Sequence, residues 1–345
     1  MNVNKLDKFK GSLIGLTIGD ILGYPLRGKM RTKIASEFNF FENNKDFEDF
    51  ENFLLDNKRK FKTYTNNTQL ALHLSEALIK GNGFNIKQIL REFLIWLEDP
   101  PIGSCYGTIS TMKKIKDGVL WSKAASNSGG SGTLSRAVPI GLYYGKDINQ
   151  LRIAAKKSSS LTHTHPAASI GAIILARTIA YLITKTKETG FSIDDFSNEL
   201  ISSISNSAIN DKIKEEYIEN LYKLISNLST SEESGLIKFS QIGVNSPYFI
   251  EDYLGKAFIH PYAMSTVFCS LFLFLKNRTS FKKCILTFAS SGGGSTVGAV
   301  GGALAGAYFG YSEIPNNLLK FVKNRKKILN IAERLFNKFE ANIYK

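Results

Sequence analysis

The stretch YTNNTQLALHLSEAL, residues 64–78, sets two adjacent amides, Asn66 and Asn67, between Thr65 and Thr68 at the mouth of an amphipathic helix. Amide and hydroxyl groups in such a place can donate and accept hydrogen bonds around a ligand, but they carry no charge. Two glycine-rich loops offer a second kind of chemistry. In GGSGTLSRAVPIGLYYG (129–145) Gly130, Ser131 and Gly132 precede a packed segment, and in SGGGSTVGAVGGALAGAYFG (291–310) three glycines, among them Gly293, run into Ser295 and Thr296. Free N–H groups at a helix start, unobstructed by side chains, suit a phosphate. Neither loop fits G-x-x-x-x-G-K-[ST] or a strand-anchored G-x-G-x-x-G, which excludes a P-loop or a dinucleotide fingerprint. SLTHTHPAA (160–168) carries His163 and His165. An H-x-H pair can bind metal, but no HExxH or cysteine partner accompanies it. Capping and packing at the helix that starts after Pro166 is the plainer role.

Acid–base chemistry would need carboxylates. The candidates are Asp20, which also reads as a structural acid inside a helix, Glu98 and Asp99 in WLEDPPIG, and the acids of an island at 42–51. No G-x-S-x-G elbow is present for a serine nucleophile. The elements that must position these groups are helices. Apolar residues recur at helical spacing over 7–22, 68–80, 86–97, 107–120, 168–185, 212–227, 263–276, 281–289, 296–310 and 326–341. Alternating, β-branched runs are nearly missing, so the expectation is an all-α, single-domain protein spanning residues 1–345. Loops at 23–63, 99–106, 126–132 and 290–296 interrupt the pattern, and the small residues of 298–306 predict close helix packing near the centre of the bundle.

The 345 residues include 43% hydrophobic and 12% aromatic side chains, enough to build a core and to exclude global disorder. A net charge of +14 favours anionic partners. The lysines are dispersed and not interleaved with aromatics, however, so nucleic-acid binding is not expected. The three cysteines have no metal-ligand spacing and one is left over if two pair, which points to a reducing, cytoplasmic compartment at synthesis. Delivery from there to another cell stays open. The most apolar run, MSTVFCSLFLFL (264–275), is too short to cross a bilayer, so no membrane span is expected.

Five segments, in order, resemble the ADP-ribosylhydrolase family, the group that includes dinitrogenase-reductase-activating glycohydrolase. KGSLIGLTIGDILGYPLRG (10–28) is similar to G-x-x-x-G-x-x-x-G-D-A-x-G-x-P-x-E, and YTNNTQLALHLSEAL to Y-T-D-D-T-Q-M-A-L-A-L-A-E-A-L. GGSGTLSRAVPIGL is similar to G-N-G-A-A-M-R-x-A-P-x-G-L, and LTHTHPAA to T-H-x-H-P-x-A. SGGGSTVGAVGGALAGAYFGYSEIP follows G-G-D-T-D-T-x-G-A-I-x-G-A-L-A-G-A-Y-Y-G. The resemblance covers roughly 10–320 and implies an orthogonal helical bundle with two divalent metals at its centre, acting on ADP-ribosylated protein as a monomer.

The departures from that pattern fall on the chemistry. The family's paired aspartates stand here as Asn66 and Asn67, two more align with Gly293 and Ser295, its catalytic glutamate aligns with Arg27, and a further aspartate aligns with Cys105. Thr65, Thr296 and Asp20 are retained. Hard dications need anionic oxygens, and these exchanges remove about four negative charges. The resemblance therefore implies loss of the Mg²⁺ site, with no metal or other cofactor. It implies an ADP-ribose site built from Arg27, Thr65, Asn66, Asn67, Gly130, Ser131, Gly132, His163, Gly293, Ser295 and Thr296. Two functions fit: a metal-independent ADP-ribosylhydrolase acting first on arginine, with Asp20, Glu98 or Asp99 as its carboxylate, or a pseudohydrolase that binds ADP-ribose or ADP-ribosylated protein.

Overall fold

The computed structural model describes residues 4–38, 63–103, 105–186, 190–207, 209–245 and 250–341. Among them the regular structure is helical throughout, as the periodicity predicts, with only two isolated β-bridges. The helices are α1 (Lys5–Gly23), α2 (Arg31–Phe38), α3 (Asn66–Lys80), α4 (Ile86–Glu98), α5 (Tyr106–Lys116), α6 (Trp121–Ala124), α7 (Leu134–Tyr143), α8 (Ile148–Ser160) and α9 (Pro166–Leu182). They continue as α10 (Ile193–Ser205), α11 (Asp211–Ser226), α12 (Glu232–Phe239), α13 (Ala263–Asn277), α14 (Phe281–Ala289), α15 (Gly294–Phe309), α16 (Asn316–Leu319) and α17 (Arg325–Ala341). None of the described helices is long and apolar enough to cross a membrane.

The centre is the antiparallel pair α1 and α15. Glycines recur every fourth residue on both, at 11, 15, 19 and 23 and at 294, 298, 302 and 306, so each helix presents one side-chain-free stripe. The stripes face each other. A methyl on Gly15 would fall on the Gly302 carbonyl oxygen, one on Gly19 on that of Gly298, and one on Gly23 on that of Gly294. Backbones in direct contact fix the two helices in register. Every residue of α15 except Thr296 is buried, which explains why its sequence is apolar or small on all sides.

This register has a consequence for the site. Asp20, one residue after Gly19, and the turn after Gly23 are locked beside the N-terminus of α15. Helices α9 and α13 complete the interior, each buried over nearly its whole length. Helix α3 enters from the side, its first residues reaching Asp20.

Candidate functional site

Two helix N-termini meet in the middle of the bundle. Thr65 caps α3, its hydroxyl accepting from the Asn67 N–H at 3.2 Å. Asn67 then ties α3 to α15: its Nδ2 donates to Ser295 Oγ at 3.4 Å, and Thr296 Oγ1 donates to its Oδ1 at 3.5 Å. The neighbouring Asn66 is 5% exposed, and its Nδ2 has no hydrogen-bond partner among the described residues. A buried amide donor without a partner is an expensive group to keep unless something else fills it.

Asp20 is fully buried and stands behind this pair. Its Oδ2 accepts from Thr65 N (2.8 Å), Thr68 N (3.1 Å) and Thr68 Oγ1 (2.7 Å). Its Oδ1 accepts from Thr65 Oγ1 (2.7 Å) and Asn67 Nδ2 (3.4 Å). Burial pushes the carboxyl above its ordinary value, while the hydrogen bonds from Thr65 and Thr68 pull it down. Five donors on two oxygens leave no lone pair for a substrate. Asp20 holds the α3 N-terminus in place, with both of its oxygens engaged by protein donors.

Glu98 and Asp99 are exposed at the end of α4. Glu98 pairs with Lys116 at 3.4 Å, and the Asp99 N–H closes the helix on Ile95 O. Among the described residues neither makes a hydrogen bond to the Asn66–Asn67 cluster, so the structure does not bring them into it. The acids of the 42–51 island lie outside the described residues.

Arg27 follows a 3₁₀ turn at Tyr24–Leu26 and is exposed. Its backbone and stem pass over Gly294, where a methyl would sit 3.1 Å from Arg27 Cα; Gly294 also has a φ of +60°. Glycine there lets the Arg27 stem pass over the start of α15. Gly293 is different from what its alignment suggests. A side chain at that position would run into Val297, so the place of the family's acid is closed as well as neutral.

The glycine loop needs a correction too. The Gly130 N–H donates to Ser128 Oγ at 3.1 Å and the Ser131 N–H to Pro261 O at 3.0 Å. Both amides are taken inside the protein, so a phosphate cradle of three free N–H groups over 130–132 does not exist. What the loop does offer is space beside His163. Methyls built on Gly107, Gly130 and Gly132 would lie 3.3, 3.6 and 3.5 Å from His163 Nε2.

His163 is set by a chain that the sequence reading missed. Arg136, wholly buried in α7, donates from Nη2 to Thr162 Oγ1 at 2.6 Å, and Thr162 Oγ1 lies 2.8 Å from His163 Nδ1. A guanidinium can only donate, so the threonine oxygen accepts from it and keeps its own proton to give to Nδ1 in the tautomer that carries N–H at Nε2. That leaves Nε2–H directed at the glycines. Burial first, and Arg136 second, push the imidazole down to about 3, so it is a neutral hydrogen-bond donor. Arg136 Nε and Nη1 have no hydrogen-bond partner among the described residues, and Cys105 is the thiol in its field. The available signal was one arginine inside the apolar run LSRAVPIGL. His165 takes the plainer role expected of it, its Nδ1 accepting from Ala167 N at 3.2 Å to cap α9.

Beyond the Gly129–Gly130 turn lies a cavity of about 510 Å³, lined in part by Asn127, Ser128, His165, Asn245 and Tyr262. Gly129 is required there, since any side chain would overlap the Tyr262 ring.

The whole chain can be placed among known proteins. It is 24% identical over 342 residues to the ADP-ribosylarginine hydrolase Tri1 of Serratia proteamaculans, covering 96% of this chain and 79% of that one. It is 22% identical to the ADP-ribosyl-[dinitrogen reductase] glycohydrolase of Rhodospirillum rubrum, over 91% and 89% of the two chains. A solved ADP-ribosylglycohydrolase-related protein complex has the same fold, with a TM-score of 0.67 at 20% identity, over 97% of this chain and 99% of that one. The ADP-ribosylglycohydrolase family pattern matches residues 1–344, and with the helical frame and its central pair of helix N-termini in place, the chain belongs to that family.

Proposed function

We propose that the protein binds ADP-ribose, carried on a modified protein, through neutral donors and Arg27 rather than through a metal pair. The observation that carries this reading is the buried Nδ2 of Asn66, unpartnered at the meeting point of two helix N-termini. Helix N-termini and amide donors favour an anion, and a diphosphate supplies one. His163 Nε2–H adds a donor from the facing loop, and the cavity beside Tyr262 is of a size for the nucleoside end.

The metal pair of the family does not fit these side chains. Thr65, Asn66, Asn67, Ser295 and Thr296 are all uncharged, and Asp20, the one carboxylate there among the described residues, is saturated by protein donors. Among the described residues no three His, Cys, Asp or Glu side chains converge on one point. Cleavage of an N-glycosidic bond passes through an oxocarbenium-like state that carboxylates ordinarily manage. With no accessible carboxylate in the described cluster, binding is better supported than turnover.

A second reading is favoured by the intact frame: Thr65, Thr296 and Asp20 are all in place. It is metal-independent hydrolysis of ADP-ribosylarginine, with the carboxylate drawn from 42–51. The deciding experiment incubates arginine-ADP-ribosylated protein with this chain in excess EDTA and again with Mg²⁺, and follows both retention and release. Retention without release supports the binding reading. Release indifferent to EDTA supports the hydrolase, and release that requires Mg²⁺ refutes both.

A further inference from the structure

Away from the central cluster, α6, α8 and α9 enclose a cavity of about 610 Å³. Its walls are apolar: Ile86, Leu161 and Ile173 line it, with Trp121 and Ile153. Those last two are 41% and 45% exposed, unusually open for large apolar side chains, and Leu120 and Val119 continue the same apolar surface. Arg152, Lys156 and Lys157 also line it, all on α8. Arg152 and Lys156 are one turn apart, and Lys157 stands about 140° round the helix from Arg152, so the cations flank Ile153 on the lining face. None of the described lining residues is acidic.

An apolar chamber of this volume with a few charged groups has the build of a small-ligand site rather than of a flat protein interface. The distribution of charge selects the ligand. Cations along α8, beside a lining whose aliphatic side chains come from α4, α8, α9 and Leu161, match a molecule with one anionic end and one hydrocarbon end.

We propose that this cavity binds a single-chain amphiphile with an anionic head, carboxylate or phosphate. The head lies on Arg152 and Lys157, and the chain lies against Ile153, Leu161 and Ile173.

Trp121 makes the test direct, because the protein has two tryptophans and the other, Trp96, is fully buried. The full-length protein is titrated with dodecanoate, dodecyl phosphate and dodecyltrimethylammonium, each below its micellar concentration, while tryptophan emission is followed. The expected result is a saturable blue shift with the anionic amphiphiles that is lost in Trp121→Phe. Affinity should fall at least tenfold in Arg152→Glu/Lys157→Glu and in Ile153→Asp, all at surface-accessible positions, with helix content unchanged by circular dichroism. Binding of the carboxylate alone points to a free fatty acid as the source, and binding of the phosphate alone points to a single-chain phospholipid; either supports the proposal. Equal affinity for the cationic amphiphile, or no effect of the charge reversal, overturns it. So does saturable binding of an acidic leucine-containing peptide with no binding of either anionic amphiphile, which would make the surface a protein-docking site.

Discussion

Asp20 is the residue on which a structural and a catalytic role separate most cleanly. Removing the side chain in Asp20→Ala strands the N–H groups of Thr65 and Thr68 in a fully buried place, whereas the threonine hydroxyls can turn to other acceptors. Two orphaned backbone donors at about 1–3 kcal/mol each, plus a small cavity, give a loss of about 3–5 kcal/mol. Asp20→Asn keeps an oxygen where Oδ2 accepts three of the five hydrogen bonds. Its amide nitrogen meets Thr65 Oγ1, which can accept, and opposes only the long contact to Asn67 Nδ2. That exchange costs about 1–2 kcal/mol. Urea denaturation at neutral pH, with m-values compared, measures both. Equal losses in the two variants, or an alanine variant within about 1 kcal/mol of the parent, would refute the holding role. An asparagine variant of parental stability and ADP-ribose affinity that had lost a demonstrable hydrolysis would make Asp20 catalytic instead.

Other expectations follow from single groups. His163 stays neutral in the folded protein down to about 3, whereas the unfolded chain takes up its proton near 6.5. Its stabilising effect is therefore complete above pH 6.5 and falls by about 1.4 kcal/mol per pH unit below it. Between pH 7 and 5 the parent should lose about 2 kcal/mol more than His163→Gln in urea denaturation, and parallel losses would refute this. Gly298→Ala places a methyl on the Gly19 carbonyl and should cost about 3 kcal/mol or more, or prevent folding; a parental melting temperature would show that the two helices can part. Cys105→Asp gives Arg136 a counter-ion, so it should exceed Cys105→Asn in stability by about 2 kcal/mol, and a reversed order in thermal melts would refute it. Arg27→Glu exchanges attraction for repulsion at an exposed position, where screening limits the effect to about 2 kcal/mol. ADP-ribose affinity measured by calorimetry should fall roughly thirtyfold, and an unchanged affinity would remove Arg27 from the site.

The helical frame and the identity of the central segments were legible because their signals are local. A glycine every fourth residue in GSLIGLTIGDILG and GSTVGAVGGALAG announces close packing, although nothing in either stripe names the other as its partner. The helices Ile148–Ser160 and Ile193–Ser205 went unpredicted because serine, asparagine and charge dilute their apolar period. Their starts were nevertheless written in the caps, Asp147 accepting from Gln150 N and Ser192 from Asp195 N. The predicted 107–120 helix stops at Lys116 because Gly118 adopts a φ of +91°. At the site, glycine content advertised free amides at 130–132. Only tertiary structure could reveal that Ser128 and Pro261 already engage two of them. The pairing of Arg136 with Thr162 and His163 links α7 to the turn between α8 and α9 and had no local signature.

The substitutions at the centre form one electrostatic change rather than several independent ones. The N-terminus of α3 is answered from inside the protein, by the Asp20 carboxylate beneath Thr65 and Thr68. The N-terminus of α15 has no such answer: its first turn holds no acid, and the side chains around it are Ser295, Thr296, Asn67 and the Arg27 stem. An unneutralised helix start is worth about half a positive charge, and Arg27 and Arg136, which has no acid partner among the described residues, add to the same sign. Carboxylates at 66, 67, 293 and 295 would reverse that sign and call for cations. Amides and hydroxyls there leave the potential positive, while Asn67 still joins the two helix ends by hydrogen bonds. On the reading proposed above, this frame would be complementary to an anion, and Val297 closes the place of a side chain at 293.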